Sequence, residues 1–119
     1  MTKDFSKWLK KQDIQTGELS NALDEIMNGS FEANLGGNLV KKRVRFRGKG
    51  KSGSGRTIVC YRHEYIAIYI HGFAKNEKSN VSAKELIALK ELSKVLLGLS
   101  PVAVTTAIEN GDFIEVEEL

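Results

Sequence analysis

The sequence predicts an α+β fold, with an N-terminal helical hairpin and C-terminal helices packed on a small antiparallel β-sheet. Three observations predict it. Apolar residues recur at helical spacing near both ends of the chain, the middle alternates like strands separated by turn signals, and two helix starts in the last third carry capping residues. With 119 residues, 41% of them hydrophobic, the chain suits a single domain over residues 1–119 that buries about two thirds of its unfolded surface.

At the start, Phe5, Trp8 and Leu9 share one face while Lys3, Lys7, Lys10 and Lys11 lie elsewhere, so residues 4–12 read as a short amphipathic helix. A second helix follows, with Thr16 as N-cap. Leu19, Ala22, Leu23, Ile26 and Met27 form its apolar stripe, and Gly29 stands where a left-handed residue ends it. Gly36-Gly37-Asn38 signals a turn, after which residues 39–46 alternate apolar and basic side chains as a strand does. Residues 47–55 hold four glycines among nine positions and read as a basic loop. Residues 56–62 and 65–71, rich in Ile, Val, Thr and Tyr and separated by His63-Glu64, read as a β-hairpin.

After a loop over residues 72–80, Ser82 and Glu85 form an S-x-x-E capping box, with Val81 and Leu86 placed as a hydrophobic staple. Leu86, Leu89, Leu92, Leu96 and Leu99 supply the apolar positions of that helix, and Gly98 its end. Ser100-Pro101 opens another helix with proline at the first helical position, and Gly111 stops it. Residues 112–117 read as a short last strand.

The lone Cys60 excludes an internal disulfide, and no charged stretch followed by an apolar one marks the start of the chain for secretion, so a cytoplasmic protein is expected. No membrane partner is expected either. Lys84, Lys90 and Lys94 punctuate the longest apolar segment, which falls short of the ~18 residues that span a bilayer.

The net charge of +3 is modest, but its distribution is uneven. Lys41, Lys42, Arg43, Arg45, Arg47, Lys49, Lys51, Arg56 and Arg62 fall together, with no Asp or Glu between Ala33 and His63. The C-terminal stretch is acidic, with Glu109, Asp112, Glu115, Glu117 and Glu118 and no Lys or Arg after Lys94. Lysines and arginines commonly blunt sheet edges, but that explains two or three charges rather than nine without one acid. The asymmetry favours a nucleic-acid partner bound through phosphate, with glycines allowing close backbone approach. Gly48-Lys49-Gly50-Lys51-Ser52 is not a nucleotide-binding P-loop, because the first glycine is missing at the required distance and a strand follows instead of a helix. The two histidines and one cysteine show no zinc spacing, and no metal or cofactor is implied.

In the second hairpin strand, alternation points Ile66, Ile68 and Ile70 towards the core and Tyr65, Ala67, Tyr69 and His71 to the opposite face, which is expected to stay open to a ligand. Tyr69 is then a candidate to stack on an RNA base. If Tyr61 pairs with Tyr65 or Ile66, the end of this strand brings Lys75 towards Arg56, although an exposed lysine paired with Glu77 is the plainer reading of Lys75.

Three stretches in order, Asn38-Leu-Val-Lys-Lys-Arg-Val, Gly48-Lys-Gly-Lys-Ser-Gly-Ser-Gly-Arg56-Thr and His71-Gly-Phe-Ala-Lys-Asn-Glu77, resemble successive signatures of the RelE superfamily of toxins, in the branch close to HigB-like toxins. The capping box, the leucine-rich helix and the Phe113-Ile-Glu-Val-Glu117 ending resemble that branch too. The resemblance covers almost the whole chain. It implies a RelE-like fold of helices on an antiparallel sheet, mRNA cleavage on the ribosome, and neutralisation by a small antitoxin protein, of helix-turn-helix type. By motif position it places Arg56 and Lys75 on the scissile phosphate, Lys49 and Lys51 as loop contacts, and Arg62 as a further contributor; Arg45 and Arg47 extend the RNA-binding stretch. His71 departs from the aromatic residue that similar sequences show there, which leaves the general base open.

Metal-independent cleavage of this kind uses the RNA 2′-OH as nucleophile, giving a cyclic phosphate and a free 5′-OH, and cannot cut DNA. Cations must stabilise the charge growing on phosphorus oxygens while two groups move protons. His71 suits proton transfer by its ordinary pKa, near ~6.5, while Tyr61, Tyr69 or a lysine would need a shifted one; packing at a strand end is the plainer role for His71. Two other classes fit the same residues: a non-enzymatic ParE-like inhibitor of DNA gyrase, and a nucleic-acid-binding regulator without catalysis.

Overall fold

The computed structural model describes residues 1–46, 54–63, 65–74 and 80–116. Helix α1 (Lys3–Lys10) begins where extended Thr2 accepts the Phe5 N–H at 3.2 Å, and it closes on a tightened turn, Lys11 N–H to Trp8 O at 3.1 Å. Helix α2 (Thr16–Met27) starts one residue earlier than expected: Thr16 occupies the first helical position and Gln15 is the N-cap. Its end is the left-handed cap foreseen at Gly29 (φ +85°), where Ser30 N–H reaches back to Glu25 O and Gly29 N–H to Ile26 O, a Schellman motif.

The sheet is a four-stranded antiparallel meander, β1 (Ala33–Gly36), β2 (Leu39–Arg45), β3 (Ser54–Arg62) and β4 (Ile66–Ala74), in that spatial order. β1 was not foreseen. It is only four residues long, and the turn after it runs through three successive positive φ values at Gly36, Gly37 and Asn38. The hairpin pairs Arg62 with Ile66 and Tyr61 with Ala67, and β4 continues to Ala74, three residues into the expected loop.

Helix α3 (Ala83–Leu97) carries the capping box as read, with Ser82 N–H to Glu85 Oε1 at 3.0 Å and Glu85 N–H to Ser82 Oγ at 3.1 Å. Helix α4 (Pro101–Glu109) is capped by Ser100, whose hydroxyl accepts the Ala103 N–H. The expected last strand reduces to a bridge between Phe113 and Thr2. Thr2 N–H in turn bonds Tyr69 O, so the N-terminal segment satisfies part of the outer edge of β4, and the C-terminal segment pairs with the N-terminal one through Met1 to Lys3. The Met1 ammonium donates to Ile114 O at 2.7 Å, and burial draws its pKa down to about 6 against the opposing pull of Glu115.

The sheet has a core on each face. Phe5, Leu19, Ala22 and Ile26 of α1 and α2 pack on Val40, Val44, Val59 and Tyr69. On the other face Leu89, Leu96 and Leu97 of α3 pack on Leu39, Ile58, Cys60, Ile68 and Ile70. This is the α+β arrangement of helices on a small antiparallel sheet that the sequence predicts. Among the described residues no helix is long and apolar enough to cross a membrane.

Candidate nucleic-acid interface

Cross-strand partners in an antiparallel sheet point to the same face. Ile58 lies in the α3 core, and its neighbours two residues along the strands therefore share that side. The row Lys41–Ile58–His71 and the row Arg43–Arg56–Phe73 stand next to one another on the α3 face, with Arg45 opposite Ser54 beyond them. Arg43 and Arg45 are exposed and Lys41, Arg56 and His71 half-buried. Arg43 and Arg56 are directly opposed across the ladder. The strand edge at Arg43 is closed by Glu32, whose Oε2 accepts its N–H at 2.7 Å.

His71 reaches this face through a β-bulge. The register between β3 and β4 shifts between Ile58 and Val59, so that Ile58 pairs with His71 and Val59 with Tyr69, and Ile70 is the extra residue. Strict alternation puts His71 with Tyr69; the bulge puts it with the isoleucines, beside Arg56's row. There its Nε2 lies 3.5 Å from Glu85 Oε2 on α3, and its ring stands 6.1 Å from that of Phe73.

The face expected to be open is covered by α1 and α2. Tyr69 is fully buried, stacked on Phe5 at 4.9 Å between ring centroids, with its hydroxyl donating to Leu19 O at 2.8 Å. Burial, with a smaller push from Glu25, raises its pKa far above the ordinary phenol range. Tyr69 is a core residue and offers no surface for an RNA base. Lys42 leaves the basic cluster as well. It is 5% exposed, and its Nζ donates to Ser30 O at 3.0 Å and lies 3.4 Å from Glu25, tying the end of α2 to the sheet.

Arg62 is separated from Arg56 by six positions along β3, about 20 Å. Its guanidinium sits over the Tyr65 ring at 5.5 Å from the centroid, so it does not join the same cluster. His63, nearby in the turn, shares a 2.7 Å hydrogen bond with the Tyr61 hydroxyl. Arg47, Lys49, Lys51 and Lys75 lie outside the described residues. Cys60 is buried in the α3 core, which pushes its thiol pKa up and disfavours the thiolate.

The structure adds Glu85, legible in the sequence only as a capping residue, because its second role depends on a bulge that no residue pattern announces. It also singles out Lys41 and Arg43 from the basic run, since alternation about the buried Val40, Lys42 and Val44 sends them to the α3 face. The described cluster thus combines cations able to hold a phosphate with an imidazole that lies beside a carboxylate.

The family model of the RelE toxin of the RelE/RelB toxin–antitoxin system matches residues 1–116. No curated protein and no solved structure matches the chain. With a match over nearly its full length and the antiparallel sheet and flanking helices expected of the fold, the chain belongs to the RelE toxin family, the toxin half of a toxin–antitoxin pair with an antitoxin as partner.

Proposed function

We propose that the chain is a ribosome-associated mRNA endonuclease of the HigB-like branch that inhibits translation in the cytoplasm and is neutralised by a small helix-turn-helix antitoxin. Arg56 and Lys75 hold the scissile phosphate, His71 transfers a proton, and Arg45, Arg47, Lys49 and Lys51 grip the RNA backbone. Arg62, at the far end of β3, is left a peripheral contact. The observation that carries this reading is the shared face of Lys41, Arg43, Arg56 and His71. Two arginines directly opposed across a ladder disfavour folding, and an anionic ligand between them reverses the sign of that interaction.

Cleavage proceeds by attack of the 2′-oxygen on phosphorus, as the 5′-oxygen leaves. The rate then depends on cations fixed around the phosphorus oxygens, where each lost donor typically costs 10²–10³-fold. Induced expression of the wild type without antitoxin is expected to arrest growth and to leave translated mRNA with new 5′-hydroxyl ends. The Arg56→Ala, Lys75→Ala double variant is expected to do neither. Full toxicity of that variant would remove the proposed site. Growth arrest with intact mRNA and gyrase-linked DNA damage would replace the reading with a ParE-like one. Harmless expression with salt-sensitive RNA binding would leave a non-catalytic regulator.

A further inference from the structure

The outer edge of the sheet changes character partway along β2. Among the described residues β1 pairs with it from Leu39 to Lys41, while β2 runs on to Arg45 with β3 on its other side. Successive residues of a strand turn their backbone groups to opposite edges, and the Lys41 carbonyl faces outward, accepting the Glu32 N–H at 2.9 Å. Arg43 and Arg45 therefore face outward as well. The Arg43 N–H is met by a carboxylate, Glu32 Oε2 at 2.7 Å, where a neighbouring strand would supply a carbonyl. Among the described residues none bonds the Arg43 carbonyl or the Arg45 N–H.

An open ladder edge suits an extended peptide, because it offers backbone donors and acceptors at strand spacing. Arg43 and Arg45 are exposed, and their side chains lie on the α3 face. A second copy of this chain, added antiparallel at the same edge, would set arginines beside arginines. A segment bearing carboxylates would pair with them instead. On the α1–α2 side the edge borders a polar cavity of about 110 Å³, lined by Glu18, Glu25, Glu32, Lys42, Arg43 and Arg45, which suits a polar side chain and not an apolar one. The chemistry that fits both sides is an extended segment in which acidic residues alternate with polar ones.

We propose that the edge of β2 from Arg43 to Arg45 is a docking site for an extended acidic segment of the antitoxin, which adds as a further strand in line with β1 and sets its carboxylates beside the two arginines. The inference rests on the antitoxin partner that membership of the toxin family brings, and on nothing in the cleavage chemistry. It holds equally for a toxin that does not cut RNA. A segment so placed covers arginines on which the proposed RNA contact draws. Antitoxin and RNA then compete for one row of charge.

The probe is the small protein encoded beside the gene for this chain, with a short single-stranded RNA as the competing class of ligand. Backbone amide exchange of the full chain, read by NMR, is expected to show the Arg45 N–H open in the free protein. In the complex with the small protein its exchange is expected to slow by on the order of tenfold or more, and with RNA to stay as it was. Arg45→Gln removes the charge and keeps the N–H, whereas Arg45→Pro removes both at an outward position that an edge strand tolerates. Affinity for the small protein is expected to fall about two- to fivefold in Arg45→Gln. In Arg45→Pro it is expected to fall about three- to tenfold further, for the lost ladder bond. An Arg45 N–H that stays open in the complex, or that slows with RNA and not with the small protein, overturns the inference. Equal binding by the proline and glutamine variants overturns it too, and should the proline variant not fold, the exchange measurement on the wild type decides alone. Protection of Arg45 in the complex of a chain that cuts no mRNA leaves the inference standing and removes the ribonuclease reading.

Discussion

On the α1–α2 face of the sheet, Val40, Val44, Val59 and Tyr69 lie under Phe5, Leu19, Ala22 and Ile26, and a cation on that face, Lys42, is buried against Ser30 O and Glu25. On the α3 face, Leu39, Ile58, Cys60 and Ile68 lie under Leu89, Leu96 and Leu97, but the same strands continue into Lys41, Arg43 and Arg56. Lys41-Lys42-Arg43 shows the difference within three residues: the middle side chain braces a helix and its two neighbours turn to the other side. Charge in the sequence therefore overstates the proposed polyanion surface, and strand parity selects the part of it that the α3 face presents.

The largest expected break in this comparison is on the α1–α2 face, at Gly72. A Cβ there would lie 2.4 Å from Trp8 Cε3, so the indole of α1 rests where any other side chain would stand. Gly72→Ala is expected to lose about 1–3 kcal/mol in urea denaturation by overpacking. Trp8→Leu, which vacates the ring, is expected to recover part of the loss when combined with it. Independent, additive losses would show that the two do not share the space.

Tyr69→Phe comes next, at about 1 kcal/mol for the lost bond to Leu19 O. Its pH dependence tests the burial directly. The folded-state pKa of Tyr69 is raised above the ordinary value near 10, so its contribution to stability is complete below about pH 10 and is lost as the unfolded chain ionises above it. The gap between wild type and Tyr69→Phe is therefore expected to narrow above about pH 10. mRNA cleavage is expected to be unaffected, and a large loss of cleavage with normal stability would return Tyr69 to the RNA surface.

Most of the fold was legible because its signals are local. The Ser82–Glu85 box, the Ser100-Pro101 start and the Gly29 end each need only neighbouring residues to be recognised. β1 was not, because four residues before a glycine turn carry too little alternation, and their pairing with β2 is what makes them a strand. Arg56 was legible as a candidate, but its neighbours were not. The bulge at Ile70 depends on how β3 and β4 fit together, and it moves His71 to the opposite face from Tyr69. One residue of register thus separates a core tyrosine from a histidine beside arginines, and sequence periodicity counts both as the same face.

The smallest effect sharpens the comparison most, because it is expected to change sign. Arg43 opposes Arg56 directly, and the buried charge of Lys42 next to it is paired with Glu25. Arg43→Gln removes the repulsion while keeping the backbone N–H that Glu32 accepts, and it is expected to raise stability by about 0.2–1 kcal/mol in low salt. Arg43→Lys keeps the charge and is expected to gain little. In about 1 M salt, where screening shortens to ~3 Å, the advantage of the glutamine variant is expected to fade. RNA affinity should move the other way, weaker in Arg43→Gln with a salt slope shallower by about one phosphate contact. A gain in stability without a change in that slope would mean that Arg43 repels Arg56 but touches no phosphate, and the RNA surface would then begin at Arg56.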